Sequence, residues 1–167
     1  MINYVDGNML EFDADILCHQ VNCKGVMGGG VAKQIREKLL TAQQFESYRS
    51  LCLEKGADLL GSVQYLPVDS RRYVANIFAQ DGFGRGQLQT DYTALEKGLR
   101  RIEEDCRDSC LRVAVPGYIG CGLAGGDWNH VYRNIIKPIF EHSPVLLSIV
   151  YLEHGGEGSF FRQQKEE

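Results

Sequence analysis

The sequence predicts an α/β fold, three layers deep, with helices on both faces of a mixed, mostly parallel central sheet. Three observations carry that expectation. Apolar, strand-like segments alternate along the chain with segments of helical period. Those strand segments, such as "DILCHQVN", "LRVAVP" and "PVLLSIVYLE", are almost continuously apolar, as strands are when both sheet faces are covered. The 19 glycines cluster in short loops between the two kinds of segment.

Each element follows in order. "MINYVDGNML" reads as a first strand ending in a turn at Asp6, Gly7 and Asn8, and "DILCHQVN" as a second strand. "CKGVMGGG" is a loop, and Val31, Ile35 and Leu39 recur at every fourth position, so Val31 to Leu40 is a helix. "QQFESYRSLCLEKG" is a second helix with Phe45, Tyr48 and Cys52 on one face and Gly56 as its stop. "GSVQYLPV" and "RRYVANIFA" are strands joined by a turn at Asp69 and Ser70, and "QDGFGRGQLQ" is a loop. Thr90 is the expected N-cap of the next helix, whose face is Tyr92, Leu95, Leu99, Ile102 and Cys106. "LRVAVP" is a short strand. Asp127 to His142 is helical through Trp128, Val131, Ile135 and Ile139, with a distortion expected at Pro138, and "PVLLSIVYLE" is the last strand.

The chain of 167 residues, 44% hydrophobic and 24% charged, is the size of one domain. Residues 1–153 are read as that domain and residues 154–167, rich in glycine and charge, as a flexible tail. A net charge of −4 argues against a general nucleic-acid surface, although backbone N–H groups can still hold a small anion. The N-terminal residues carry no signal-peptide pattern, and no apolar run approaches the roughly 18 residues of a membrane span, so a cytoplasmic, monomeric protein is expected. The six cysteines form no CxxC pair and no zinc spacing, so buried, reduced thiols are expected and no metal site is.

Two glycine-rich loops, "GVMGGGVAKQI" and "GYIGCGLAGGDW", each follow an apolar strand and lead into a helix. In an open α/β sheet such loops line the ligand crevice, and the helix start offers unpaired N–H groups. Two of them suit a diphosphate. The second also contains G-x-G-x-x-G at Gly120, Gly122 and Gly125. A dinucleotide fingerprint belongs in the first βα turn with an acid about 20 residues later. This one lies two-thirds along the chain without that acid, so a nicotinamide dehydrogenase is not supported.

"YVDGNML", "HQVNCKGVMGGGVAKQI", "YVANIFAQDGFG", "VPGYIGCGLAGGDW" and "SIVYLE" together resemble, in order, the segments of a macrodomain. The branch is similar to that of ADP-ribose-1″-phosphate phosphatases, terminal ADP-ribose protein glycohydrolase and antitoxin macrodomains that remove ADP-ribose from DNA. The resemblance implies an ADP-ribose ligand, either free or on a macromolecule. It also implies no other cofactor, and hydrolysis of a group linked at C1″ of the distal ribose. A non-catalytic ADP-ribose reader is the alternative.

The resemblance also assigns residues. Asn8, in place of the family's acid, and the Met9 N–H would meet the adenine, with Tyr151 flanking it or serving the core. Asn22 would face the distal ribose. Gly28, Gly29, Gly30 and Val31 would form the first diphosphate loop, and Ile119, Gly120, Cys121, Gly122 and Leu123 the second. Gln80 stands where the glycohydrolase of this branch has a lysine, and Ala124 where it has an acid, so a lysyl Schiff-base route is not available there. The candidate catalytic residues are then Asp127, His19 and Asp81. Each has a structural alternative: a helix cap, a packed strand histidine and a turn residue respectively.

Overall fold

The computed structural model describes residues 1–152. The expected tail, residues 154–167, and Glu153 at the expected domain boundary lie outside the described residues. Six strands, β1 (Ile2–Asp6), β2 (Ile16–Asn22), β3 (Val63–Pro67), β4 (Tyr73–Gln80), β5 (Val113–Pro116) and β6 (Leu147–Tyr151), form one sheet in the order β1-β6-β5-β2-β4-β3. All neighbouring pairs are parallel except the β3–β4 hairpin, which puts the antiparallel strand at an edge. The mixed, mostly parallel sheet is the one the sequence predicts.

Alternation along the strands divides the core between the two faces. Ile16 and Cys18 of β2, Ala75 and Ile77 of β4, and Val113 and Val115 of β5 pack under helix α3 (Tyr92–Arg107) and the C-terminal helical rod. Their neighbours Leu17, Val21, Val74, Phe78 and Ala114 pack on the opposite face, under α1 (Gly30–Lys38) and α2 (Ala42–Lys55). Helix α2 starts on a full capping box between Thr41 and Gln44 and ends at Gly56, where the backbone turns to φ +52°. The β2–β4 ladder slips near its carboxyl end: Val21 pairs with Phe78, but Asn22 pairs with Gln80, leaving Ala79 as one extra residue in β4.

Two expectations are adjusted. Thr90 is not the cap of α3. Asp91 is, its carboxylate accepting from the Ala94 N–H at 3.0 Å. Thr90 is still extended and bridges to Gln80, so its hydroxyl is free for other work. The rod after Asp127 is helical, but its distortion precedes Pro138. Trp128–His130 is α (α4), Val131–Ile136 is π-helical and Lys137–Phe140 is α again (α5). Pro138 has no N–H to return to the carbonyl four residues back, and the preceding turn widens. The Lys137 N–H accordingly reaches the Tyr132 carbonyl, five residues back.

Candidate functional site

The carboxyl ends of β2, β4 and β5 open into a cleft of about 730 Å³, and both glycine loops line it. In the first loop, Gly29 precedes α1 and no side chain caps the helix. The N–H groups of the first residues of α1, Gly30 and Val31 among them, have no carbonyl within the helix to meet, and they carry the positive end of its dipole. Gly30 sits at φ +58°, a conformation that favours glycine. The second loop leaves β5 through Tyr118, held at φ +66°, and Gly120, at φ +74°. The two loops meet: a Cβ on Gly29 would come within 2.7 Å of Leu123 Cδ1. The approach is made by the Leu123 side chain, and residues of both loops line the same cleft.

Within the second loop the donors are not equivalent. The Ile119 and Cys121 N–H groups are spent on turns, to the carbonyls of Pro116 at 3.2 Å and Tyr118 at 2.8 Å. Gly120, Gly122 and Leu123 line the cleft, whereas Cys121 does not. Burial, then the nearby Asp127 charge, pushes the Cys121 thiol up to about 12, so it is no nucleophile at neutral pH.

Asn22 lines the cleft wall but is largely committed to shaping the loop beneath it. Its Nδ2 donates to the Val26 carbonyl at 2.7 Å, and its Oδ1 accepts from the Lys24 N–H at 3.0 Å. The Tyr48 hydroxyl, buried under α2, also reaches the Asn22 carbonyl at 2.8 Å. His19 is buried on the α1 face and bonds across the ladder through Nε2 to Asn76 Oδ1 at 2.5 Å. Burial lowers its pKa to about 4, against the opposing effect of the Asn76 bond. The ring is thus neutral at pH 7. With Nε2 donating to Asn76, Nδ1 is a bare acceptor with no protein partner among the described residues.

The candidate carboxylates stand apart from the cleft. Asp127 is exposed and caps α4, accepting from the Asn129 N–H at 3.0 Å, while its own N–H donates to the Tyr92 hydroxyl at 2.9 Å. Asp81 follows Gln80 at the mouth and pairs with Lys24 at 3.3 Å. Among the described residues lining the cleft there is no Asp or Glu, and Arg85 is the single arginine or lysine.

The adenine-side residues are not assembled into this cleft. Asn8 is exposed, with its Oδ1 accepting from the Leu10 N–H at 3.0 Å, and Met9 is a core residue. Tyr151 is 1% exposed, and a Cβ on Gly117 would come within 2.3 Å of its ring, which makes it a core aromatic in this structure.

One feature of the cleft floor escapes a reading by motif. Gln80 donates through Nε2 to the Gly82 carbonyl at 2.8 Å and accepts at Oε1 from Gln20 Nε2 at 2.9 Å. Gln20 Nε2 also donates to Thr90 Oγ1 at 2.9 Å, and the Thr90 hydroxyl donates to the Gly120 carbonyl at 2.6 Å. The even spacing of Gln20 and Asn22 along β2 is the local signal for a shared orientation, and the local signal at Thr90 is that of a helix cap, not of a cleft residue.

No protein-family model matches the chain. Among curated relatives, an ADP-ribose 1″-phosphate phosphatase of Scheffersomyces stipitis is 30% identical over 140 residues, covering 71% of this chain and 80% of the relative. A DNA ADP-ribosyl glycohydrolase of Mycobacterium tuberculosis is 28% identical over 160 residues, 93% of this chain, and the chain spans only 43% of that relative's length. Among solved structures, the macrodomain of Mycobacterium tuberculosis DarG superposes with a TM-score of 0.73 at 25% identity, covering 91% of this chain and 97% of that one. With the mixed sheet and the paired glycine loops already in place, these relatives establish that the chain belongs to the macrodomain family.

Proposed function

We propose that the cleft binds ADP-ribose with its diphosphate between the two glycine loops, and that the chain hydrolyses a group linked to C1″ of the distal ribose. The substrate class is ADP-ribosylated protein carboxylate, ADP-ribose-1″-phosphate or ADP-ribosylated nucleic acid. The observation that carries the reading is the contact of Gly29 with Leu123, which sets an uncapped helix start opposite a second loop of backbone donors. Fixing the diphosphate there fixes where the distal ribose lies, and most of the rate gain in such a hydrolysis comes from that positioning.

Three side chains are the candidates for activating the water. His19 at neutral pH can accept a proton at Nδ1 but has none to give from it. Asp81, beside Gln80, is the carboxylate nearest the mouth along the chain. Asp127 contributes through the helix start it holds, or directly if the loop shifts on binding. The reading includes a single monomeric domain over residues 1–153, acting in the cytoplasm without a metal or second cofactor. Free cysteines fit a reducing compartment.

A non-catalytic reader is the second reading. It is favoured by the lack of any Asp or Glu among the described residues that line the cleft. One assay separates the two. The protein, with Asp81→Asn and Asp127→Asn variants beside it, is incubated with each of the three substrates. Release in any assay, lost in a variant that still binds ADP-ribose, supports the hydrolase. Tight ADP-ribose binding with no release leaves the reader. No binding of ADP-ribose sinks both.

A further inference from the structure

The direction of the hydrogen-bond chain on the cleft floor is fixed by its two ends. Both ends are backbone carbonyls, Gly82 and Gly120, and a carbonyl only accepts. Gln80 must therefore turn its NH₂ to Gly82 and its oxygen to Gln20. Thr90 must spend its single proton on Gly120, so it can only accept from Gln20. Each of these constraints points the same way. Gln20 donates both its amide protons inward, one to Gln80 Oε1 and one to Thr90 Oγ1. Flipping any one amide in this chain sets two acceptors or two donors against each other.

What is left over is Gln20 Oε1. No protein group among the described residues donates to it, and it is shielded within the site. It lies against the second glycine loop, 2.8 Å from where a Cβ on Gly120 would stand. A buried acceptor without a donor costs on the order of 1–3 kcal/mol, so this atom favours any occupant that brings one. It also repels an oxyanion, so the group that meets it is not the phosphate. It is an uncharged donor next to the phosphate-binding loops.

We infer that Gln20 is a specificity-determining residue whose Oε1 accepts a hydrogen bond from a hydroxyl of the distal ribose, with Gln80 and Thr90 as positioning residues that aim it. This rests on the ADP-ribose reading of the cleft and deepens it. The site then tells ADP-ribose from ADP through one neutral bond and not through charge. Gln20 has no role in the diphosphate contact, so its contribution concerns the sugar alone.

The test compares the two ligands by calorimetry. ADP has the adenosine and diphosphate but no distal ribose. In Gln20→Met, ADP-ribose affinity is expected to drop about tenfold, the effect of one lost bond at a desolvated acceptor, while ADP affinity stays within about twofold. Thr90→Val, which also releases the Gly120 carbonyl of the second glycine loop, should weaken both ligands with the larger loss for ADP-ribose, and Thr90→Ser, which keeps the hydroxyl, should restore both affinities; the selective loss is read from Gln20→Met. Thermal melts establish that each variant is folded. Equal weakening of both ligands, or no weakening of either, overturns the assignment, since Gln20 would then serve the adenine, the fold or nothing. Failure of the unaltered protein to bind either ligand is a separate result. It removes the ADP-ribose reading itself, and the Gln20 assignment with it.

Discussion

His19 is a residue whose environment can be read as a free-energy slope. Its pKa is about 4 in the folded protein against 6.5 for the free side chain, because burial penalises the imidazolium. Between those values the unfolded chain binds a proton that the folded chain does not. Stability therefore falls as pH drops from 6.5 towards 4, by up to about 3 kcal/mol. The paired carboxylates Asp13, Asp15, Asp69 and Glu103 are all held below their ordinary values, so their losses come at more acid pH. Urea unfolding across pH 4–7 should show this slope in the unaltered protein and not in His19→Gln; parallel profiles would refute it. From the sequence, His19 stood open between packing and catalysis. The residue that fixes its tautomer, Asn76, lies 57 positions away, and such a partner leaves no local trace.

The start of α3 separates two jobs that adjacent residues perform. Asp91 holds the helix and Thr90 ties the second glycine loop. Asp91→Ala is expected to cost about 1 kcal/mol in unfolding free energy and to leave ADP-ribose binding unchanged. A large loss of binding in that variant would mean that the cap also sets the loop. Element identities and order were legible because each has a strong period and clear punctuation by glycine, aspartate or threonine. The exact cap was not, because Thr90 and Asp91 are both good caps. Only tertiary pairing, the bridge from Thr90 to Gln80, keeps Thr90 in the strand-like conformation. The π-helical turn was half legible: Pro138 announced a distortion, but how the preceding turn absorbs it depends on packing of Val131 and Ile135 in the core.

At the scale of the whole molecule, the sheet order could not be read from spacing, yet the fold class could, because strands buried on both faces leave no polar alternation. The cysteines report the same burial. Cys18, Cys23, Cys52 and Cys106 are buried, Cys121 is half-buried, and Cys110 is exposed. An aromatic disulfide reagent at pH 8 should modify Cys110 rapidly and the other five thiols only on unfolding; more than one fast thiol in the native protein would contradict this packing. The two glycine loops were legible as neighbours at one cleft, because a strand followed by glycines and a helix start marks such a loop locally. The amide chain beneath them was not, since it joins four segments far apart in sequence.

That chain depends on a matter of counting. In a regular strand Gln80 would share a face with Asn76 and Phe78, under α2, and Gln20 would look at Ala79 instead. The extra residue at Ala79 changes the parity of β4 in its last step and carries Gln80 through to the other side of the sheet. Inserting one residue between Val21 and Asn22 would give Ala79 a partner and remove no functional group, yet the regular ladder so formed should turn Gln80 to the α2 side and leave Gln20 without its partner. The site's chemistry is thus encoded as much by the length of a strand, odd or even, as by the side chains it carries.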